Sequence, residues 1–535
     1  MTRSTRFVTL AVGAMLVACA KPAAAPAPES ASDDIVAGRA PTGGTLIVNA
    51  RVIDGTGAPS RVTSVRIIGD RIADIGDLRQ RQGETVVVGT GLVLAPGFID
   101  DHSHADGAIF EHRDALADVS QGITTVVVGQ DGSSVYPLAD FFAHVQREPA
   151  AVNVASYVGH GTVRDLVLGK DYKRVATPAE VLKMQTLVDQ EMRAGALGLS
   201  SGLEYDPGIY SDPSEVLALA KTAAAQGGRY ISHMRSEDFA FWKALDELIT
   251  IGRENHMPVQ VSHIKLAMKA SWGLGDSLIH VLDRARESGV QVTADIYPYT
   301  YWHSGMSVLF PHRDFDNRKS AAFALSEVAP ADGLLLANYG PNPEYDGKTL
   351  ADVAKMRNVD DTTALIDLLH ASEEAAAKGD TAHEDNSIMA TSMDERDVAK
   401  LMAWPWAAFC TDGELDGSHP RGFGTFPRLL GRYVREQQIM PLEEAIRKAT
   451  SLAATNVGIP YRGQITVGSY ADLVLFNPET IIDRATPTEP HLTSTGIRRV
   501  WVNGAAVYDG EKATGALPGR VIKRVEAAPR IRPHP

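Results

Sequence analysis

The sequence predicts an α/β protein: a (β/α)8 barrel of the TIM type, a small β-sandwich built from the N- and C-terminal segments, and an insertion before the eighth barrel strand. Three observations lead there. Eight short, near-continuously apolar runs alternate with amphipathic helical stretches between residues 97 and 413, as parallel strands do when helices cover them on the outside. Short β patterns punctuated by Gly and Asp crowd both ends of the chain. At 535 residues the chain is too long for one ordinary core and suits a large barrel with a subdomain.

Taken in order, residues 1–18 place Arg3 and Arg6 ahead of an apolar run from Phe7 to Ala18. That run is too short to span a bilayer and has the layout of an export signal. Leu16-Val17-Ala18-Cys19 resembles a bacterial lipobox, whose cysteine is acylated after cleavage. The expectation is an exported, periplasm-facing lipoprotein that begins at Cys19 and meets the membrane only through its lipid. Residues 19–43, rich in Ala, Pro and small polar groups, read as the lipidated flexible tether. Of the 2 cysteines only Cys410 then remains, so no intramolecular disulfide is expected.

Segments 44–95 and 463–523 carry the β texture of the sandwich, in runs such as TLIVNARVID and GQITVGSYADLVLF. Residues 96–462 carry the barrel. Its strand candidates are GFIDDHSH (97–104), TTVVVG (124–129), VASYVGH (154–160), ALGLSSGLEY (196–205), RYISHMR (229–235), VQVSHIK (259–265), VTADIYPY (292–299) and AAFCTDG (407–413). PAEVLKMQTLVDQEMRAG (178–195) and DSLIHVLDRARESG (276–289) space their apolar residues three and four apart and stop at Gly, as helices do. Charged, Ala-rich sequence from about 312 to 394 breaks the rhythm and reads as an insertion over the barrel mouth.

Composition excludes several classes. Apolar residues make up 44% and charged residues 22%, so disorder is excluded for most of the length. The 52 Lys+Arg against 66 Asp+Glu leave a net charge of −14 with no basic run, which argues against nucleic-acid binding.

In such a barrel the active site is built at the C-terminal ends of the strands. Reading those ends yields His102 and His104 on the first strand, two apart and therefore facing the same way. The fourth ends at Glu204, the fifth at His233, the sixth at His263 and the eighth at Asp412. Four imidazoles and two carboxylates at one mouth suit Zn²⁺ or a similar divalent ion, and such a set can hold two ions bridged by a carboxylate.

These residues sit in recognisable motifs. PGFIDDHSHAD (96–106) resembles the strand-one metal motif of the amidohydrolase superfamily, and GSYADLVLF (468–476) its C-terminal signature. GITTVVVG, GHGTVR, GALGLSSGLEYDPG, SHMRSE, VSHIK, DIYPY, TDG and HPRGFGTF are similar to those of N-acyl-D-amino-acid deacylases, or D-aminoacylases, over roughly residues 44–523. The resemblance implies zinc-dependent cleavage of the amide bond of an N-acyl-D-amino acid, a small-molecule substrate. It assigns His102, His104 and Asp412 to one metal and His233 and His263 to a second. It makes Asp412 also the proton shuttle from the attacking water to the departing amine. Lys265, Tyr297 and Arg421 match positions that clasp the substrate carboxylate, and Tyr205 one that helps hold or polarise the acyl carbonyl.

The chain departs from that family in one place. Where the best-known deacylases carry Asn-Cys-Gly with a metal-binding Cys, this sequence has Gln130-Asp131-Gly132. Glu204 is expected to replace the missing thiolate as bridging ligand, with Asp131 as the rival, and a binuclear site is expected over a single zinc. The alternative activity is cleavage of isoaspartyl or D-containing dipeptides, or of other N-acyl amides, by the same metal chemistry. A ligand-binding lipoprotein on a dead barrel is disfavoured because the expected His residues and Asp412 are all present.

Overall fold

The computed structural model describes residues 43–381, 383 and 385–524. The expected export signal, the lipidation site Cys19 and the tether up to residue 42 lie outside the described residues.

The barrel strands are Phe98–Asp100, Ile123–Val128, Asn153–Ser156 continued by Val158–Gly159, Gly198–Gly202, Arg229–His233, Val259–Val261, Val292–Ile296 and Ala407–Phe409. All eight coincide with the apolar runs. Every residue of Ile123–Val128 is buried, as β-branched strands packed on both faces require. Neighbours pair in parallel and in chain order, in one ladder of three strands and one of six. The third strand belongs to both, because it breaks at Tyr157 and pairs backwards with its first half and forwards with its second. Between the eighth and first strands closure runs just beyond the ladders. Asp412 N–H donates to the His102 carbonyl and His104 N–H to that of Gly413, each at 2.9 Å.

The covering helices start and stop where local chemistry dictates. Pro178–Ala194 begins with a capping box between Thr177 and Glu180, has Pro178 in its first turn, and ends at Gly195. Its inner face buries Met184, Val188, Glu191 and Met192.

The terminal segments form one eight-stranded sheet in which Val93–Pro96 pairs antiparallel with Leu473–Phe476. Gly44–Val52 is its branch point, pairing with Arg61–Ile68, Glu84–Val88 and Val93–Pro96. The branched sheet encloses a core of its own that includes Ile47, Val65, Leu94, Leu473 and Trp501. Residues 463–472, expected as strand, are instead a loop. Gly463 (φ 78°) and Gly468 (φ 92°) take backbone conformations that a strand does not.

The inserted segment, expected from about 312, takes in residues from Tyr301 onward. Tyr301–Gly305 pairs antiparallel with Asn386–Thr391, which also pairs with Leu334–Tyr339. The helix Asp361–Ala377 lies within the same insertion. The insertion places Trp302, His303, Val308 and Leu309 over the barrel mouth, in the same cavity as Lys265 and Tyr297.

Candidate metal centre and active site

The strand ends bring the predicted imidazoles and Asp412 together. His102 Nε2 lies 3.3 Å from Asp412 Oδ1 and 3.4 Å from Asp131 Oδ2. His104 Nε2 lies 3.2 and 3.5 Å from the same two oxygens. Asp131 Oδ1 faces His263 Nε2 at 3.5 Å, and His263 Nε2 faces His233 Nδ1 at 3.0 Å. One ligand atom each from His102, Asp131, His263 and Asp412 falls within a 4.8 Å cluster, and His233, Glu237 and His263 form a second such group.

These donors fit divalent ions. His102 Nε2 and the Oδ1 of Asp131 are buried without a hydrogen-bond partner. Buried polar groups are normally satisfied, and imidazole mixed with carboxylate is a zinc-type donor set. Protonation of the protein alone follows the carboxylates. Burial disfavours the charged ring of His104, yet hydrogen bonds to Asp131 and Asp412 raise its pKa to about 10. Burial likewise opposes ionisation of Asp412, but Arg421 and the imidazoles of His263 and His102 hold it well below the usual carboxylate range. Asp412 is thus in its basic form at neutral pH.

Local backbone aims this cluster. Asp131 (φ 51°), His263 (φ 35°) and Asp412 (φ 48°) all sit in the left-handed region, which costs a non-glycine residue about 1–3 kcal/mol. The barrel holds them there: Asp295 Oδ1 accepts the His263 N–H at 2.6 Å, and Asp412 N–H is tied to the first strand. Gly132 (φ 78°) must be glycine, since a Cβ would stand 2.7 Å from the backbone nitrogen of Gly202.

Glu204, expected as the bridging ligand, is outside both metal groups. The fourth strand ends at Gly202, so Glu204 lies on the following loop, where its Oε2 meets His233 Nε2 at 2.9 Å. Asp131 stands between the two halves of the cluster instead.

The remaining predicted residues share one cavity with His233, His263 and Asp412: Tyr205, Lys265, Tyr297 and Arg421 all line it. Arg421 Nη1 is 2.6 Å from Asp412 Oδ2, and its guanidinium lies 4.8 Å from the centre of the Tyr297 ring. The Tyr297 hydroxyl is buried with no partner, and burial pushes its pKa up to about 12, so it remains a donor. Tyr205 OH lies 3.1 Å from His233 Nδ1.

Comparison with known proteins places this geometry. The amidohydrolase family model matches residues 89–324 and 397–508, leaving out most of the insertion. A D-aminoacylase of Alcaligenes xylosoxydans xylosoxydans is 34% identical over 507 residues, covering 90% of this chain and 98% of that protein. A solved D-aminoacylase with a binuclear metal centre matches with a TM-score of 0.80 at 34% identity, over 90% of this chain and 99% of the other. An N-acyl-D-glutamate deacylase of Bordetella bronchiseptica, solved with zinc and a phosphonate mimic of the tetrahedral intermediate, matches with a TM-score of 0.79 at 34% identity, again over 90% and 99%.

The chain belongs to the D-aminoacylase family of amidohydrolases.

Within this D-aminoacylase-family barrel, two residues were not singled out from the sequence. Glu237 pairs with Lys265 at 2.7 Å and lies 3.1 Å from His263 Nδ1. A buried lysine two residues past a ligand histidine demands a counter-charge, and SHMRSE offers one. Asp295 lies 3.5 Å from His102 Nδ1, besides accepting the His263 N–H. A carboxylate behind an imidazole fixes the ring's orientation and tautomer. Its signal was the Asp of DIYPY, buried in the middle of an apolar strand.

Proposed function

We propose that this chain is a zinc-dependent hydrolase that cleaves N-acyl-D-amino acids to a carboxylate and a free amino acid. One observation carries the reading: His233, His263 and Asp412 of the donor cluster face the same cavity as the cationic side chains of Lys265 and Arg421. One side of that cavity suits a carbonyl under attack and the other a carboxylate anchor.

His102, His104, Asp131, His233, His263 and Asp412 would hold two ions, with Asp131 shared between them. Zinc, when bound, supplies Lewis acidity, making water a nucleophile near neutral pH and polarising the acyl carbonyl. Arg421 grips the substrate carboxylate through its planar fork, with Lys265 as a point charge and Tyr297 as a hydroxyl donor. Tyr205, kept protonated by burial, donates to the carbonyl oxygen as negative charge builds there. Asp412 takes a proton from the attacking water and returns it to the nitrogen, because an amine leaves poorly as an anion. The hydrophobic wall of Trp302, Val308 and Leu309 keeps bulk water from this exchange.

The test is hydrolysis of pooled N-acetyl-D- and N-acetyl-L-amino acids by the purified enzyme, before and after chelation and zinc return. D substrates should be cleaved, and activity should fall with the metal and return with it. Turnover of the L pool alone, or chelated enzyme working undiminished, refutes the reading. An outer lobe of about 550 Å³ extends the cavity past Asp131 and Ser133, so acyl groups larger than acetyl, including the aminoacyl group of a dipeptide, belong in the pool.

We further propose export and lipid anchoring at Cys19, on the strength of residues 1–19. Radiolabelled fatty acid should enter the parent and not Cys19→Ser; equal labelling rejects the anchor.

A further inference from the structure

The cavity has two lobes, and five residues line both: Tyr205, His303, Ser304, Asp412 and Arg421. They form the neck between them. Lys265 and Tyr297 line only the inner lobe, so a carboxylate clasped there sends the acyl group outward. On that reading of the function, the scissile amide lies in the neck.

Tyr205 and Asp412 approach the neck from the barrel. His303 approaches from the insertion, on the strand Tyr301–Gly305, held in register opposite Met389. A trans amide points its C=O and N–H in opposite directions. A carbonyl turned toward Tyr205 and the ligand cluster therefore turns its N–H toward the insertion. His303 is the imidazole on that side, and its Nε2 is buried without a hydrogen-bond partner.

We propose that His303 accepts a hydrogen bond from the scissile amide N–H, and so aims the nitrogen lone pair at Asp412. Burial, and then Arg421, push the His303 pKa down to about 4, so the ring is neutral at working pH and keeps one nitrogen as an acceptor. Water adds its oxygen to the acyl carbon, the C–N bond breaks, and the water's proton passes through Asp412 to the nitrogen. His303 neither gains nor loses a proton. An ester of the same shape offers no N–H and gains nothing from this residue.

The experiment compares zinc-loaded parent, His303→Ala and His303→Gln on an N-acyl-D-amino acid and on the matching O-acyl D-hydroxy acid. His303→Ala should lower kcat/KM for the amide about tenfold, the worth of one neutral hydrogen bond, while the ester changes less than about twofold. His303→Gln, which keeps an acceptor, should recover part of the loss. Equal losses on both substrates, as a folding or zinc defect would give, overturn the proposal, and so does an undiminished amide rate. A parent inactive on the amide would instead overturn the proposed function, and this inference with it.

Discussion

Asp131 and Glu204 compete for the bridging role, and two substitutions separate them. Asp131→Asn keeps the side chain's size, and asparagine tolerates the left-handed backbone (φ 51°) that position 131 requires. It removes one of the two carboxylates in the four-residue cluster with His102, His263 and Asp412. A unit charge about 4 Å from a counter-charge contributes about 4 kcal/mol at an effective dielectric of about 20, roughly three decades of affinity. Glu204→Gln acts only through His233, whose Nε2 it meets at 2.9 Å. Losing such an outer partner typically costs about 10–100-fold in metal affinity. Competition of each variant against a chromophoric chelator, with metal per chain measured after equilibration, gives both numbers. Asp131→Asn should lose about a thousandfold and retain less metal per chain than the parent. If Glu204→Gln loses that much while Asp131→Asn stays within tenfold of the parent, Glu204 is the ligand and the assignment here is wrong.

Arg421→Ala should raise KM for N-acyl-D-amino acids about 10–100-fold, the worth of a lost charged hydrogen bond. It should leave KM for simple acyl esters without a carboxylate nearly unchanged; equal effects on both would remove Arg421 from the carboxylate role. Lys448 is buried, with its Nζ donating to the carbonyls of Met402 and Trp404, and burial lowers its pKa from 10.5 to about 7. The unfolded chain therefore binds more protons than the folded one between about pH 7 and 10.5. The cost is fully present below that window and gone above it, so stability rises with pH across it, by up to about 1.4 kcal/mol per pH unit from this residue. Denaturant unfolding of Lys448→Met should show that slope flattened, and an unchanged slope would show that Lys448 titrates normally.

The legible parts of this protein were those in which side-chain type and position along a strand suffice. Runs such as TTVVVG allow little but a buried parallel strand, and His102 with His104 must face one way because strand side chains alternate. What escaped depends on depth and on backbone conformations that composition does not report. Glu204 was read as a strand end, but the strand stops two residues earlier, and that short loop carries its carboxylate behind His233. Asp131 follows a strand through a left-handed turn, so counting alternate faces along TTVVVG says nothing of where it points. The insertion was placed by its charge pattern, which begins after Tyr301–Gly305, so the strand that brings His303 to the site was missed.

The position of Asp131 shares a cause with the function. Ligands for a pair of ions must converge from several strands, and ideal β geometry does not aim Asp131, His263 and Asp412 at a common point. Each is bent into the left-handed region, and the barrel holds His263 there through Asp295 and Asp412 through its hydrogen bond to the His102 carbonyl. Local sequence rules fail at a residue held away from its preferred conformation by the rest of the fold. In this barrel that condition hides Asp131, whereas His263 and Asp412 stay legible because each directly follows an apolar strand.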